Sequence, residues 1–165
     1  MAFINYSNPN ENWFKVLRIW ERLCNLSHYK LSDREFNDHI KDILVFMYSE
    51  KDWIKHECKE NDINLKIEDY IHDSVYLKIL GDLANLVKHR RENPKRPPKI
   101  FAKDTAYFGK VKLSCGASRR YHFIEYDNGK IIEVMEVIRV SLDELAFFKK
   151  SMMLALAEKD SKENY

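Results

Sequence analysis

The sequence predicts an α+β fold made of a mainly helical bundle, a three-stranded antiparallel β-meander and a C-terminal helix. Two observations carry this prediction. Apolar residues recur at helical spacing through the first half of the chain, and beyond the prolines at 94, 97 and 98 the spacing changes to alternation. With 165 residues, 45% of them hydrophobic, the chain is long enough to bury one core. We therefore predict a single domain, 1–165, with a helical bundle over 10–92, a basic proline-rich connector over 93–104, the meander over 105–140 and the last helix over 141–158.

The first two helices follow from their apolar stripes and their start residues. Trp13, Val16 and Trp20 are spaced as one face of a helix that we place at 10–25. Ser32 and Glu35 have the spacing of a capping box, which predicts that a second helix begins there. We expect a break in this helix at the polar stretch 48–52, before it continues to residue 58.

A short helix at 67–72 and a long helix from Val75 to His89 complete the predicted bundle. Asp73 or Ser74 is expected to cap the long helix, since both side chains accept hydrogen bonds from backbone N–H groups. Asn93-Pro94 is expected to end it, because proline cannot continue a helix.

The second half of the chain predicts strands at 107–115, 121–126 and 131–140, in a sheet that packs one face on the helices. Asp127-Asn-Gly129 predicts a type I′ hairpin turn, because Asn-Gly readily takes the positive φ values of that turn. Ser141 and Glu144 form a second candidate capping box, which predicts that the last helix begins at Ser141.

The positive charge is concentrated in one segment. The chain has 28 Lys and Arg against 26 Asp and Glu, a net charge of +2. The segment from Lys88 to Lys103 holds seven basic residues and one acid, so its charge of +6 leaves −4 on the rest of the chain. Such a segment attracts phosphate, which makes RNA or another nucleic acid a candidate partner over 88–103. The alternative is a solvated linker that its prolines keep extended.

The cysteines indicate a reducing compartment. Cys24, Cys58 and Cys115 fit neither a disulfide framework nor pairs of zinc ligands, and His56 with Cys58 has no matching second pair. We therefore predict no metal ion and no cofactor. The N-terminus has no signal-peptide pattern, and the longest apolar run, 43–48, is too short to span a bilayer. We expect a cytoplasmic protein without membrane contact.

Polar side chains cluster near the end of the long helix. Asp82, Asn85 and His89 lie at i, i+3 and i+7, which sets them on one helix face, and Lys88 flanks them. This face is either a functional surface or an ordinary solvated face.

The basic residues Arg90, Arg91, Lys95 and Arg96 extend the candidate site. A histidine that titrates near neutral pH beside phosphate-attracting charge is what RNA cleavage or phosphate binding would use. His89 is therefore the candidate catalytic residue, and the other residues are candidate binding residues.

Two motifs carry a family resemblance. Lys51-Asp-Trp-Ile-Lys55, followed by Gly81-Asp-Leu-Ala-Asn-Leu-Val-Lys-His89, resembles a group of bacterial and phage proteins in which a Leu-Lys-Asp-Trp-like turn precedes an Asp-Leu-Ala-Asn-x-x-Lys-His helix. That group is similar to the HEPN superfamily of helical bundles. Many HEPN proteins are metal-independent RNases or RNA-binding partners in toxin–antitoxin, abortive-infection and CRISPR systems. The likeness covers roughly residues 13–91.

The resemblance implies a catalytic arginine that this chain lacks. HEPN nucleases carry an arginine four to six intervening residues before the catalytic histidine, and the matching positions here are Asp82, Leu83 and Ala84. Asn85 and His89 match the polar residue and the histidine of the motif. Half of the motif is present.

Three hypotheses follow. The first is a HEPN-like binding protein of a prokaryotic defence or toxin-type system that contacts nucleic acid or a protein partner. The second is a metal-independent endoribonuclease, in which His89 is the general acid/base and Arg90 or Arg91 stabilises the phosphate. The third is a structural dimerisation module. Bundles of this type commonly pair along the long helix, so a homodimer is expected in all three cases.

Overall fold

Five helices and three strands make up the described part of the chain. The structure, a computed structural model of the protein, describes residues 10–25, 32–89, 107–112, 118–126 and 129–163. The helices are α1 (Glu11–Asn25), α2 (Asp33–Glu60), α3 (Ile67–Asp73), α4 (Val75–His89) and α5 (Val134–Glu163). The strands are β1 (Tyr107–Lys112), β2 (Ser118–Tyr126) and β3 (Lys130–Glu133). This mainly helical architecture with a small antiparallel sheet agrees with the predicted α+β class.

Helix α1 lies on α2 and matches its predicted bounds. Val16, Ile19 and Leu23 are buried at helical spacing, while Trp13 and Trp20 are half-buried and pack against the same core. The predicted stripe is therefore the face that α1 turns towards α2.

Helix α2 begins at the predicted capping box and runs without interruption for 28 residues. The Glu35 N–H donates to Ser32 Oγ (3.2 Å) and the Ser32 N–H donates to Glu35 Oε2 (2.9 Å), which confirms both halves of the box. The predicted break at 48–52 is wrong, because Met47, Glu50 and Ile54 continue the buried stripe through that stretch. Residues 51–55, expected to form a turn, are helical for the same reason.

Ser74 separates α3 from α4 and caps α4. Its Oγ accepts a hydrogen bond from the Leu77 N–H (3.1 Å) and donates one to Glu144 Oε2 on α5 (2.6 Å). Of the two predicted caps, Ser74 is therefore the one used. The predicted end of α4 at Asn93-Pro94 lies outside the described residues.

The strands form an antiparallel sheet in the order β1-β2-β3. The register pairs Tyr126 with Lys130 across the β2–β3 connection. The predicted type I′ turn depends on Asp127 and Asn128, which lie outside the described residues, while Gly129 has a positive φ of 103°. The other predicted turn, at 116–118, falls largely within 113–117, which are outside the described residues.

Helix α5 begins seven residues earlier than predicted. The predicted strand 131–140 ends at Glu133, and the predicted meander therefore ends there rather than at residue 140. Val134, Val137 and Ile138 are buried at helical spacing, so burial among the helices overrides the strand preference of their β-branched side chains.

The predicted capping box at Ser141 and Glu144 is also wrong. Ser141 is fully buried inside α5, where its Oγ makes no hydrogen bond with any described residue, and the Glu144 carboxylate bonds Ser74 instead. A capping role is impossible in the middle of a continuous helix.

One buried cluster joins the helices to the sheet. Ile124 of β2 and Ile132 of β3 belong to the same core as the helical side chains, and the His122 ring lies 5.5 Å from the Phe36 ring of α2. This confirms the prediction that one sheet face packs on the helices. Within the described ranges, no helix is long and apolar enough to cross a membrane.

Candidate functional site

The polar residues predicted near the end of α4 are spaced as one side of the helix. Gly81, Asn85 and Lys88 follow one another at spacings of four and three residues. Asp82, three residues before Asn85, lies at the border of this side and is half-buried. Asn85 and Lys88 are exposed.

Helix α2 contributes Tyr48 to this side of α4. The Tyr48 ring packs against the backbone at Gly81, where a Cβ atom would stand only 2.8 Å from Tyr48 Cε2. Glycine at position 81 is therefore what lets the tyrosine of α2 lie directly on α4.

Two lysines flank the Tyr48 ring. Lys51 Nζ lies 4.4 Å from the ring centroid and 3.2 Å from the phenol oxygen, and Lys88 Nζ lies 5.9 Å from the same centroid. The two ammonium groups therefore lie within about 10 Å of each other, which is the sum of their distances to the ring centroid. We call Tyr48, Lys51, Asn85 and Lys88 the Tyr48 surface.

Neither lysine forms an ion pair with a described residue, although the charge of Lys51 contributes to the lowered pKa of the Glu68 carboxyl. Lys55, one turn beyond Lys51, differs in this respect. Its Nζ lies 2.7 Å from Glu68 Oε1, and that hydrogen bond lowers the pKa of the Glu68 carboxyl. Lys51 and Lys88 therefore present positive charge that an anionic ligand can use.

Tyr48 and Lys51 also line a gap between the packed helices. The other lining residues are Met47, Ile71, Leu77, Leu80 and Leu145. The gap has no room for a water molecule, so it is an imperfection of packing and not a ligand pocket.

Several predicted site residues lie outside the described part of the chain. These are Arg90, Arg91, Lys95 and Arg96. His89 ends α4, but its side chain is also outside the description.

The helix positions that would carry the HEPN arginine point largely into the protein. Ala84 is fully buried and Leu83 is 8% exposed, while Asp82 is half-buried. The side of α4 that holds Leu83 and Ala84 therefore packs against the core and is not available to a substrate.

A second polar group lies inside the bundle and was not predicted. Lys149 Nζ of α5 lies 2.5 Å from Glu50 Oε1 of α2, and Asn12 Nδ2 of α1 donates to Glu50 Oε2 at 2.5 Å. Asn12 Nδ2 also donates to the Phe46 carbonyl, and the Lys149 ammonium lies 5.4 Å from the Trp13 ring centroid. Because Glu50 is fully buried and Lys149 is 7% exposed, this group joins three helices rather than meeting a ligand.

Tyr48 could not be identified from the sequence, because nothing along the chain links it to α4. Lys51 did belong to the motif Lys51-Asp-Trp-Ile-Lys55, which was the one indication that this part of α2 matters. Glu50 and Lys149 are 99 residues apart, so their pairing has no local pattern.

Among the described residues, no group of three or more His, Cys, Asp and Glu side chains is arranged to hold a metal ion. No family model matches the chain, and comparisons with curated proteins and with solved structures give no significant match.

Proposed function

We propose that this protein binds nucleic acid through the Tyr48 surface, with single-stranded RNA as the first ligand to test. The observation that carries the proposal is the position of Lys51 and Lys88. Their ammonium groups flank the half-buried Tyr48 ring, and neither forms an ion pair with a described residue. Lysines in this arrangement bind phosphate, and each contact releases counterions from the nucleic acid.

The chemistry of the Tyr48 surface suits a polymeric ligand. The lysines offer charge to the phosphate backbone, and Asn85 adds an amide that both donates and accepts hydrogen bonds. A strand that runs across the surface can use all of these groups at once.

The sequence that follows α4 supports the same ligand. The segment from Lys88 to Lys103 carries a charge of +6 and continues directly from the helix that bears the Tyr48 surface. Phosphate contacts from both parts would add to one another, because each makes its own salt-dependent contribution to affinity.

We further propose that the bundle is HEPN-like and that the protein acts in a prokaryotic defence or toxin-type system. The support is the resemblance carried by residues 51–55 and 81–89. Binding without cleavage is the version that the geometry favours, since Leu83 and Ala84 pack into the core at positions where the nucleases of that superfamily carry an arginine. Cleavage by His89 is the alternative.

The proposal is tested by the anisotropy of a labelled single-stranded RNA titrated with the full chain at low salt, where phosphate contacts are strongest. We expect binding by the wild type and a Kd raised about tenfold in the double variant Lys51→Gln/Lys88→Gln. The matched control is Lys59→Gln/Lys150→Gln, which removes the same charge from two exposed lysines elsewhere and should change Kd much less.

Two results would overturn the proposal. One is no binding by the wild type at low salt, which would favour a protein ligand. The other is an equal loss of affinity in both double variants, since general charge and not the Tyr48 surface would then govern binding. Loss of intact RNA in the presence of a chelator, abolished by His89→Ala, would replace binding by cleavage as the function.

A further inference from the structure

The outer face of the sheet carries apolar side chains where an antiparallel sheet usually presents polar ones to solvent. Alternate side chains of a strand point to opposite faces. Ile124 is buried in the core and the His122 ring packs on Phe36, so these two residues define the inner face of β2. Tyr121 and Phe123 alternate with them and belong to the outer face.

Three large apolar side chains share this outer face. The rings of Tyr121 and Phe123 are stacked, with centroids 6.0 Å apart and planes within 8° of parallel, and both residues are half-buried. Ile131 of β3 pairs with Glu125 of β2, which places it on the same face, and it is 60% exposed. Apolar patches that are rimmed by charged residues mark interaction surfaces.

Opposite charges stand at the two ends of this patch. Along β2 the outer-face positions are, in order, Arg119, Tyr121, Phe123 and Glu125, so a basic residue precedes the two rings and an acidic residue follows them. A strand rises about 3.3 Å per residue, which sets positions 119 and 125 about 20 Å apart. The two charges therefore cannot pair with each other within one chain.

The charge of the outer face does not suit a nucleic acid. Glu133 of β3 pairs with Phe123 and adds a second acidic residue, while the other basic residues of the three strands belong to the inner set of positions. One basic and two acidic residues offer no attraction to a phosphate backbone. The surface that fits this face has an apolar centre and charges of both signs.

We infer that the outer face of the sheet binds the same face of a second copy of the chain, with the two β2 strands antiparallel across a two-fold axis. In a two-fold interface every contact between two different residues occurs twice, once from each copy. An axis that passes between the two rings sets Tyr121 against Phe123 of the second copy and Arg119 against Glu125 of the second copy. Parallel strands would set Arg119 against itself, so charge selects the antiparallel arrangement.

This arrangement satisfies both the apolar and the charged residues of the face. Two sheets that pack face to face lie about 10 Å apart and interdigitate their side chains, which removes the rings and Ile131 from water. The two contacts between Arg119 and Glu125 lie at the rim, where charged residues are usual in an interface. The interface is separate from pairing along the long helix, and it does not depend on the proposed binding of nucleic acid.

The test measures the Kd of self-association of the full chain by sedimentation, without nucleic acid. We expect a reversible dimer of the wild type. Arg119→Glu and Glu125→Arg each set like charges against one another at both contacts, and each should raise the dimer Kd about tenfold or more. Arg119→Glu/Glu125→Arg restores opposite charges, and its Kd should return close to that of the wild type. Arg18→Glu, at an exposed arginine of α1, is the matched control and should leave the Kd unchanged.

A second pair of variants tests the apolar part of the face. Ile131→Ser removes an exposed apolar side chain from the sheet, and Leu154→Ser makes a similar change at a residue of α5 that is 58% exposed. We expect the dimer Kd to rise about tenfold in Ile131→Ser and to change little in Leu154→Ser. Circular dichroism checks that each variant is folded.

Three results would overturn the inference. A wild type that stays monomeric at every concentration reached would leave the face to a different protein. A dimer that neither single charge reversal weakens would have its interface elsewhere, for example along α4. A double variant as weak as the single variants would mean that Arg119 and Glu125 do not meet. RNA binding by Lys51→Gln/Lys88→Gln is a separate measurement, so the proposed function can fail or stand independently of the dimer.

Discussion

The buried pair of Glu50 and Lys149 gives the sharpest prediction about stability. The two side chains are 0% and 9% exposed, and their charged atoms are 2.5 Å apart. Replacing Lys149 by methionine keeps the aliphatic stem but leaves the Glu50 carboxylate enclosed with one remaining donor, Asn12. Removing one partner of such a pair costs about 3–5 kcal/mol, because the other charge stays buried without compensation. We therefore expect Lys149→Met to remove a large share of the 5–15 kcal/mol or so that stabilises a typical domain.

The assay is equilibrium unfolding in urea, with the free energy extrapolated to water. The control is Lys150→Met, the same change at the next residue of α5, which is exposed and should alter the free energy of unfolding by no more than about 0.5 kcal/mol. The double variant Glu50→Met/Lys149→Met removes both charges and should recover to within about 1 kcal/mol of the wild type, because two apolar side chains often replace a buried ion pair at no net cost.

Two results would refute this reasoning. Equal losses in Lys149→Met and Lys150→Met would mean that the ammonium of Lys149 is not enclosed. A double variant as unstable as Lys149→Met, or less stable, would mean that the attraction between Glu50 and Lys149 exceeds the cost of burying their two charges.

The remaining predictions concern two helix caps and one glycine. Ser32→Ala should cost about 1 kcal/mol by urea unfolding, and Ser74→Ala about 1–2 kcal/mol, because Ser74 also loses a partly buried hydrogen bond to α5. The Ser32 hydrogen bonds lower the pKa of Glu35, so this stabilisation is present above the unfolded-state pKa and lost as pH falls through the folded-state pKa. The loss of stability in Ser32→Ala should therefore be smaller in acid than at neutral pH. An equal loss at neutral and at acid pH would contradict the role given to the Glu35 carboxylate. Gly81→Ala should displace the Tyr48 ring and raise the Kd for RNA. The free energy of unfolding should change by no more than about 1 kcal/mol, because alanine favours the helix. An unchanged Kd would show that the position of the ring does not matter for binding.

Local sequence pattern predicts correctly the elements whose capping residues and apolar stripes lie close together in the sequence. The capping box of Ser32 and Glu35 begins α2 as predicted, and β2 covers the strand predicted at 121–126. In both cases the interactions that decide the structure span only a few residues.

The errors arose where distant residues decide the outcome. The predicted break at 48–52 fails because Lys149, 99 positions away, makes Glu50 a core residue in the middle of that stretch. Val134, Val137 and Ile138 have both strand propensity and helical spacing, and only packing among the other helices selects the helix. The start of α5 could not be settled from propensity alone.

The candidate site likewise has one part that the sequence predicts and one part that it does not. The polar side of α4 with Asn85 and Lys88 is a local pattern and was predicted. Tyr48 and Lys51 join it only because Gly81 allows α2 to pack closely there, and a close approach between two helices leaves no periodic trace in the sequence.

The measurement that tests the central claim most directly is the salt dependence of RNA binding by the wild type and by Lys51→Gln/Lys88→Gln. Each phosphate contact to a single strand contributes about 0.7 to the slope of log Kobs against log salt concentration. If both lysines contact phosphate, the variant's slope will be smaller in magnitude by about 1.4, while Lys59→Gln/Lys150→Gln keeps the wild-type slope. Identical slopes in all three proteins would contradict the proposal that the Tyr48 surface binds nucleic acid.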